Sequence, residues 1–549
     1  MTASAPTTLR YPDTTMAALP AGMAAMYGDR AAVVDGEKTL SYADLDARSA
    51  AVASALRAAG VAERDVVLLY LTNSVEFVVS YYGSLRAGAT VTLVNPLQPT
   101  PGLRRQIAET GAVVGFTQGE QAGRLLAAAA ESTMTTVVVV DGTAAEAPDG
   151  ITTCSLAAFT AGHHGAPAVS VTSEDVAHLA FTGGTTGVSK GVRVLHRNVI
   201  GNVTQMIAWR AGHSLDVGDD GLLTLAPRSD ENPGVVPGAA ATVVVSPLFH
   251  AHALINMSFL LLCGATHVFA GRFDPARMLA LIEEHRASYV TGSPAMWHAL
   301  AAHPDVASRD LTSVRVVSSG AAPIDHVTLG HLEKAFPAAA VVEGYGLTEA
   351  TCLVSSAPLT SQGHYRLGSV GLPTFDTEVE IRSLDDPAAV LGPGERGALW
   401  VRGPQVTDGY LDHPEKTAEQ FVDGWLDTGD IAYRDADGYL YICDRAKDML
   451  IYKGYNVYPR ELEEVLVTHP DVEAAAVVGR EAGALGQEPV AFLVARAGHV
   501  IDPVAVARFV EQQVLPYKKI RDVHVVDELP TSAAGKIQKV ALRERLANA

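Results

Sequence analysis

From about residue 64 to 345 the chain alternates short apolar runs with longer stretches whose apolar positions recur at helical spacing. VVLLYL (66–71) leads into a helical pattern through Phe77 and Leu85, and TVTLV (90–94) follows. The texture returns in TTVVVV (135–140), ATVVVS (241–246), ATHVFA (265–270), ASYVTG (287–292) and SVRVVSS (313–319), with helical patterns at 274–286 and 324–335. Such alternation predicts α/β layers built on parallel strands.

Between about 365 and 443 the pattern changes. TEVEIRS and GALWVRG are separated by GPGERG, DADG and similar turns, which predicts a small β-rich unit. Beyond Asp444 a new strand–helix alternation begins: ELEEVLVTH, AAAVVG, PVAFLVA, VAVARFVEQQV and DVHVVDELP. This is a domain-sized stretch of roughly 100 residues. The expectation is an α/β fold. A large N-terminal domain (1–445) carries layered α/β subdomains plus a β-rich subdomain (365–443), and a small mobile α+β C-terminal domain (446–549) follows. The Ala/Gly/Pro-rich insert at 211–240 reads as a surface loop.

At 549 residues the chain exceeds what one core supports, in keeping with this division. With 41 Lys+Arg against 61 Asp+Glu the net charge is −20, which argues against nucleic acid as the main partner. It leaves room for a small anion gripped by a few local donors. Cys154, Cys263, Cys352 and Cys443 form no CxxC pair, so neither a disulfide framework nor a zinc site is expected, and a reducing cytoplasm fits. The N-terminal residues show no signal-peptide core, and the longest apolar stretch, Leu254 to Cys263, is about half of a membrane span.

Five stretches carry chemistry. Thr182-Gly183-Gly184-Thr185-Thr186-Gly187-Val188-Ser189-Lys190-Gly191 follows a strand-like run. Its glycines let backbone N–H groups approach phosphate oxygens, while the hydroxyls and Lys190 add donors and charge. It lacks the Gly-Lys-Ser/Thr triplet of a Walker loop. In Glu343-Gly344-Tyr345-Gly346-Leu347-Thr348-Glu349 a glycine-flanked tyrosine can lie against an adenine ring, and Thr348 and Glu349 can address a phosphate and its magnesium. In Trp425-Leu-Asp-Thr-Gly-Asp430, followed by Asp444-Arg445-Ala-Lys447, a carboxylate in a tight turn can accept from ribose hydroxyls while a guanidinium donates nearby. Tyr452-Lys453-Gly454-Tyr455 and Pro530-Thr-Ser-Ala-Ala-Gly-Lys536 complete the set. Each stretch taken alone is also compatible with an ordinary turn or a solvated surface.

In this order and spacing the five resemble the adenylate-forming superfamily of acyl-CoA synthetases, peptide-synthetase adenylation domains and firefly-type luciferases, over about Leu40 to Gln538. The resemblance implies a phosphate-binding loop at Thr182 to Lys190, and adenine held by Gly320-Ala321-Ala322-Pro323 and by Glu343 to Gly346 around Tyr345. It implies Thr348 on a phosphate oxygen, Glu349 on magnesium, and Asp430 and Arg445 on the ribose. Lys536 matches the lysine that bridges the acid and the α-phosphate. Lys447 matches the hinge about which the C-terminal domain rotates between half-reactions, and Lys453-Gly454 the segment that rotation brings in beside the thiol. His250, in SPLFHAHAL, matches a gate beside the acid pocket. That pocket would be lined by His250, His252, Asn256, Ser293, Trp297, Gly344, Thr351 and Cys352, a mix that leans toward a compact aromatic or functionalised acid. The His250/His252 pair lacks a third ligand, so zinc is rejected.

The implied reaction uses ATP, Mg2+ and CoA: an acid becomes its acyl-AMP with release of pyrophosphate, and CoA then takes the acyl group. Partners are then small molecules, with no nucleic acid and no membrane span; a homodimer is compatible. Alternatives are an adenylating enzyme with another acceptor (a carrier-protein phosphopantetheine, an amine, or a nitrite-type activation) and, from another class, a phosphotransferase releasing ADP. A catalytically silent binding relative is disfavoured by the presence of Glu349, Asp430, Arg445 and Lys536.

Overall fold

A computed structural model describes residues 8–142, 146–182, 190–228, 234–320, 324, 326–359, 366–453, 455–532 and 536–547. The apolar runs become strands. Seven of them form one sheet in the spatial order Thr152–Ser155, Thr136–Val139, Val114–Thr117, Val66–Tyr70, Thr90–Leu93, Val176–Thr182, Lys190–Leu195. All neighbours are parallel except the last pair, which runs antiparallel.

A second sheet runs Lys38–Ser41, Ala31–Asp35, Thr266–Phe269, Ala241–Val244. The Ser288 N–H donates to the Ala241 carbonyl at 2.9 Å and so brings this sheet beside a third. The third continues as Tyr289–Gly292, Val316–Ser319, Ala340–Gly346, Leu353–Ser356, Leu372–Pro373, parallel through the first three strands and antiparallel thereafter.

Helix Val75–Arg86 is buried at every position and contacts strands of both the seven-stranded and the second sheet. A helix buried on all sides has to sit between two layers rather than on one. Helices His196–Ala211 and Ala251–Leu262 join it in the same core, with Phe259, Leu261 and Val203 fully buried. Ser74 opens the central helix by accepting from the Phe77 N–H at 3.1 Å, which satisfies one of the free donors of its first turn.

The β-rich unit is a five-stranded antiparallel sheet. Glu378–Arg382, Gly397–Arg402, Trp425–Arg434 and Phe421–Val422 lie in that order, and Leu440–Arg445 pairs with Trp425–Arg434. Beyond it, hairpin Leu450–Tyr452/Tyr455–Val457, helices Pro459–Leu466 and Pro503–Glu511, and sheet Val472–Glu481, Gln487–Ala495, Asp522–Val525 close around a core of their own. Leu462 and Leu466, one helical turn apart, are the inward face of Pro459–Leu466.

The insert differs from its reading as a loop. His213–Val217 and Leu223–Pro227 form an antiparallel ribbon with full pairing from His213↔Pro227 to Val217↔Leu223. Leu215 and Leu223 are anchored in the core, which gives the ribbon its inward face.

Candidate active site

Strand Ala340–Gly346 delivers Tyr345 at its C-terminal end, and a single 3-10 turn, Thr348–Ala350, presents Thr348 and Glu349 before the chain returns as Leu353–Ser356. The reversal is tight. A Cβ at Gly346 would stand 1.5 Å from the Cys352 carbonyl oxygen, so only glycine fits. Thr351 takes φ +61° and ψ −57°, with the Cys352 N–H donating to the Ala350 carbonyl at 2.5 Å. This positive-φ γ-turn costs a β-branched residue roughly 1–3 kcal/mol. The Thr351 hydroxyl offsets part of that cost by donating to the Gln405 carbonyl at 2.6 Å. Thr407 braces the same turn, its N–H and hydroxyl both donating to the Glu349 carbonyl at 3.0 and 2.9 Å.

Opposite this turn, Asp430 pairs in register with Arg445 across the β-rich sheet. Its Oδ1 is 2.9 Å from Arg445 Nε, and its Oδ2 accepts from the Tyr345 hydroxyl at 2.5 Å. Each carboxylate oxygen has two acceptor positions, so Asp430 can still receive a ligand hydroxyl while held from both sides. Burial, reinforced by the Asp430 carboxylate, holds the Tyr345 phenol well above its usual range. For Arg445 burial works against the cation, but Asp430, Tyr345 and Glu349 outweigh it and hold the guanidinium charged.

Lys536, from the far end of the chain, reaches this cleft. Burial and then the Arg445 cation pull its ammonium below the usual lysine range, opposed by the carboxylates of Asp430, Asp448 and Glu349. Those four groups come from the β-rich sheet, the turn after it and the Glu349 turn, so the Lys536 end of the C-terminal segment lies near all three. Lys447 lies in the turn leading away from Arg445 and feels Arg445, Asp448, Lys536 and Asp430, with burial and Arg445 lowering it.

The segment Gly183, Gly184, Thr185, Thr186, Gly187 lies outside the described residues, but its ends do not. Thr182 pairs with Lys190 across the antiparallel ladder. Lys190 Nζ is 4.8 Å from the Tyr410 ring centre, and the Tyr410 hydroxyl donates to Glu349 Oε1 at 2.8 Å while lying 2.7 Å from the Gln420 amide. Tyr410 thus joins the two motifs that address phosphate and metal. Nothing in the sequence singles it out: the Val192↔Tyr410 bridge that places it is a tertiary contact.

The acid-pocket residues divide. His250 precedes helix Ala251–Leu262, with its ring 4.4 Å from Phe249. Its Nε2 is buried without a hydrogen-bond partner among the described residues. A Cβ at Gly320 would meet His252 Nε2 at 2.9 Å, so the bare Gly320 backbone gives that ring its room. Asn256 donates to the His252 carbonyl at 2.7 Å. Burial lowers both imidazoles, His252 to about 4 with His250 adding to the effect, so both are neutral at ordinary pH. Ser293 and Cys352 retain slight exposure, and Gly344 sits against Leu353.

Trp297 and Thr351 are both enclosed. Trp297 is fully buried, packed against Gly292 in the core under helix Pro294–Ala301, and Thr351 is fully buried with its hydroxyl committed to Gln405. Glu343 is also enclosed, at 3% exposure, and its carbonyl accepts from Ser356 Oγ and the Ala357 N–H. Ala321, Ala322, Pro323 and Gly454 lie outside the described residues. Lys453 stands on the exposed hairpin at φ +52°, its N–H donating to the Leu485 carbonyl at 2.8 Å and its ammonium 5.4 Å from the Tyr452 ring, contacts that all belong to the C-terminal unit.

The family model described as AMP-binding enzyme matches residues 22–411, and that described as AMP-binding enzyme C-terminal domain matches 461–536. The chain belongs to the AMP-binding enzyme family. Its relatives place it in the acid–CoA ligase branch. A rice (Oryza sativa subsp. japonica) protein named 4-coumarate–CoA ligase 5 is 34% identical over 530 residues, which is 94% of this chain and 92% of the relative. Among solved structures, ATP-bound MatB from Rhodopseudomonas palustris superposes with a TM-score of 0.84 at 28% identity, covering 97% of this chain and 99% of its own. The amide bond synthetase McbA from Marinactinospora thermotolerans gives 0.82 at 26% identity, covering 96% and 99%. ATP and CoA as substrates fit the CoA ligase family, and among the described residues no helix is long and apolar enough to cross a membrane.

Glu349 offers a single carboxylate, and the described residues hold no cluster of three or more His, Cys, Asp or Glu able to bind a metal. Such a set does not retain a resident ion by itself. It does fit magnesium arriving with a triphosphate, for which one carboxylate plus phosphate oxygens suffices.

Proposed function

We propose that this chain is an AMP-forming acid–CoA ligase acting on a compact aromatic carboxylic acid, with Lys536, Glu349, Asp430 and Arg445 as its working residues. The observation that carries the reading is the bonding of Asp430 to both Tyr345 and Arg445, near enough to Glu349 and Lys536 for their charges to act on one another.

An acid carboxylate attacks the α-phosphorus of ATP, forming the acyl–O–P bond and breaking the bond to pyrophosphate. Two anions have to meet, so charge neutralisation and positioning decide the rate. The Lys536 ammonium lies between them. Asp430 receives the ribose hydroxyls, Arg445 fixes the carboxylate that does so, and Tyr345 presents its ring to adenine. Glu349, oriented by Tyr410, would hold magnesium, which would neutralise phosphate charge when bound. Closure of the C-terminal segment excludes water from the reactive anhydride. Rotation about Lys447 then withdraws Lys536 and brings in Lys453, and the CoA sulfur attacks the acyl carbonyl as AMP departs.

The neutral imidazoles of His250 and His252, with Asn256 and the Gly320 backbone, suit a flat acid bearing a polar group. The relatives named 4-coumarate–CoA ligase support the same class. The test is a panel of aromatic, fatty and amino acids with ATP and magnesium, with and without CoA. AMP, pyrophosphate and an aryl-CoA are the expected products. Acyl-AMP that transfers only to amines or to a carrier protein moves the acceptor, and ADP overturns the reading.

A further inference from the structure

The first turn of helix Pro459–Leu466 is gripped from two sides by the β-rich sheet. On one side stands Arg396, at the end of the Gly392–Gly397 turn. Its guanidinium carbon lies 5.0 Å from the Tyr458 ring centre and 6.0 Å from that of Tyr433, and Nη1 is 3.8 Å from Glu461 Oε2. Glu461 in turn holds Lys518, at 2.6 and 2.7 Å. On the other side the Arg460 N–H donates to Asp444 Oδ2 at 2.9 Å, and Arg460 Nη1 donates to the Ile442 carbonyl at 2.7 Å.

Arg396, Ile442 and Asp444 precede Lys447 in the chain, and Tyr458, Arg460 and Glu461 follow it. A rotation about Lys447 therefore has to break every contact that joins these two groups of residues, while Arg396–Tyr433 and Glu461–Lys518, each on one side of the hinge, survive it. In the arrangement where they are made, Lys536 stands in the cleft. We infer that Arg396 is a positioning residue: its clamp on Tyr458 and Glu461 holds the C-terminal domain in the adenylating pose and governs how the chain divides between its two half-reactions. The inference rests on the ligase reading above. The Arg396 side chain is 42% exposed and belongs to no core, so its removal leaves the fold standing.

The clamp is tested with Arg396→Ala and Arg396→Lys in the full chain. Arg396→Ala lowers single-turnover acyl-AMP formation about two- to fivefold, the worth of a surface cation–π contact and ion pair. Thioester formation from supplied acyl-AMP and CoA is unchanged or faster. Arg396→Lys, which keeps the charge but not the flat stack, recovers part of the loss. Trypsin cleavage at Lys447, in the presence of ATP, is faster in Arg396→Ala than in the wild type. A parallel fall in both half-reactions, or no change in either, overturns the clamp. If the wild type forms neither acyl-AMP nor thioester, the ligase reading fails. Cleavage then decides the clamp alone, and equal rates in the two proteins reject it.

Discussion

The Tyr345 hydroxyl donates to Asp430 Oδ2 at 2.5 Å, joining the end of one strand to the middle of a strand in a separate antiparallel sheet. The bond fixes the plane of the Tyr345 ring and the orientation of the carboxylate together. Tyr345→Phe should raise KM for ATP about two- to tenfold, the worth of one hydrogen bond. Asp430→Ala also strands Arg445 and should raise it about ten- to a hundredfold. Pyrophosphate release against ATP concentration reads both. Equal effects of the two changes would mean that Asp430 acts only through Tyr345.

Lys536, from the far end of the chain, feels the charges of Arg445, Asp430, Asp448 and Glu349. Lys536→Ala should cost acyl-AMP formation about 100- to 1,000-fold, as loss of a preorganised charge does. Thioester formation from supplied acyl-AMP should persist, because that step follows withdrawal of the lysine. Quenched-flow assays of each half-reaction separate the two outcomes, and equal loss in both refutes the division of labour.

Much of this site is legible in the sequence because its residues are chemically conspicuous. Strands such as Val66–Tyr70 and Thr136–Val139 are legible for another reason: buried on both faces, they are dominated by apolar residues. The ribbon His213–Val217/Leu223–Pro227 is hidden because its inward face is only Leu215, Leu223 and the partly buried Leu225, in two short strands within an Ala/Gly/Pro-rich stretch. The burial of Thr351 is set by its bond to Gln405, a contact remote in sequence, and that of Trp297 by the core into which it packs beside Gly292. Arg396 carries no motif at all.

Gly346 has no room for a side chain. Gly346→Ala places a methyl carbon 1.5 Å from the Cys352 carbonyl oxygen, and the γ-turn at Thr351 cannot yield without breaking its bond to Gln405. A clash against backbone belongs to the exceptional class of about 4 kcal/mol or more. The variant should show a lowered Tm with the turn carrying Glu349 displaced. A wild-type melting curve with normal ATP affinity would refute the geometry of this reversal.

Burial holds the Asp444 carboxyl up at about 6, with the Lys539 ammonium pulling it down and the Glu463 carboxylate reinforcing the rise. A carboxyl raised above its ordinary value binds more protons folded than unfolded across that window. Its contribution to stability is therefore greatest at low pH and is lost as pH rises through about 4 to 6. The loss amounts to at most about 3 kcal/mol. Asp444→Asn carries no such titration, so its Tm relative to wild type should climb from pH 4 to 6 and level off above 7. A difference independent of pH would place the Asp444 carboxyl at its ordinary value.

Tyr410 makes the final case, since its hydroxyl donates to Glu349 and its ring lies under Lys190. The two contacts are separable. Tyr410→Phe keeps the ring for the ammonium but releases the Glu349 carboxylate, and should lower kcat about two- to tenfold with a matching rise in the magnesium concentration for half-maximal rate. Tyr410→Leu removes the ring as well, and should add a rise in KM for ATP of about two- to fivefold as Lys190 loses its seat. If Tyr410→Phe shifts the magnesium requirement and Tyr410→Leu adds only the ATP effect, Tyr410 couples the phosphate loop to the metal-binding turn through two independent handles. If both variants fall equally in Tm and in rate, with the magnesium requirement unmoved, Tyr410 serves the fold through its packing on Phe421, whose ring is 6.0 Å away.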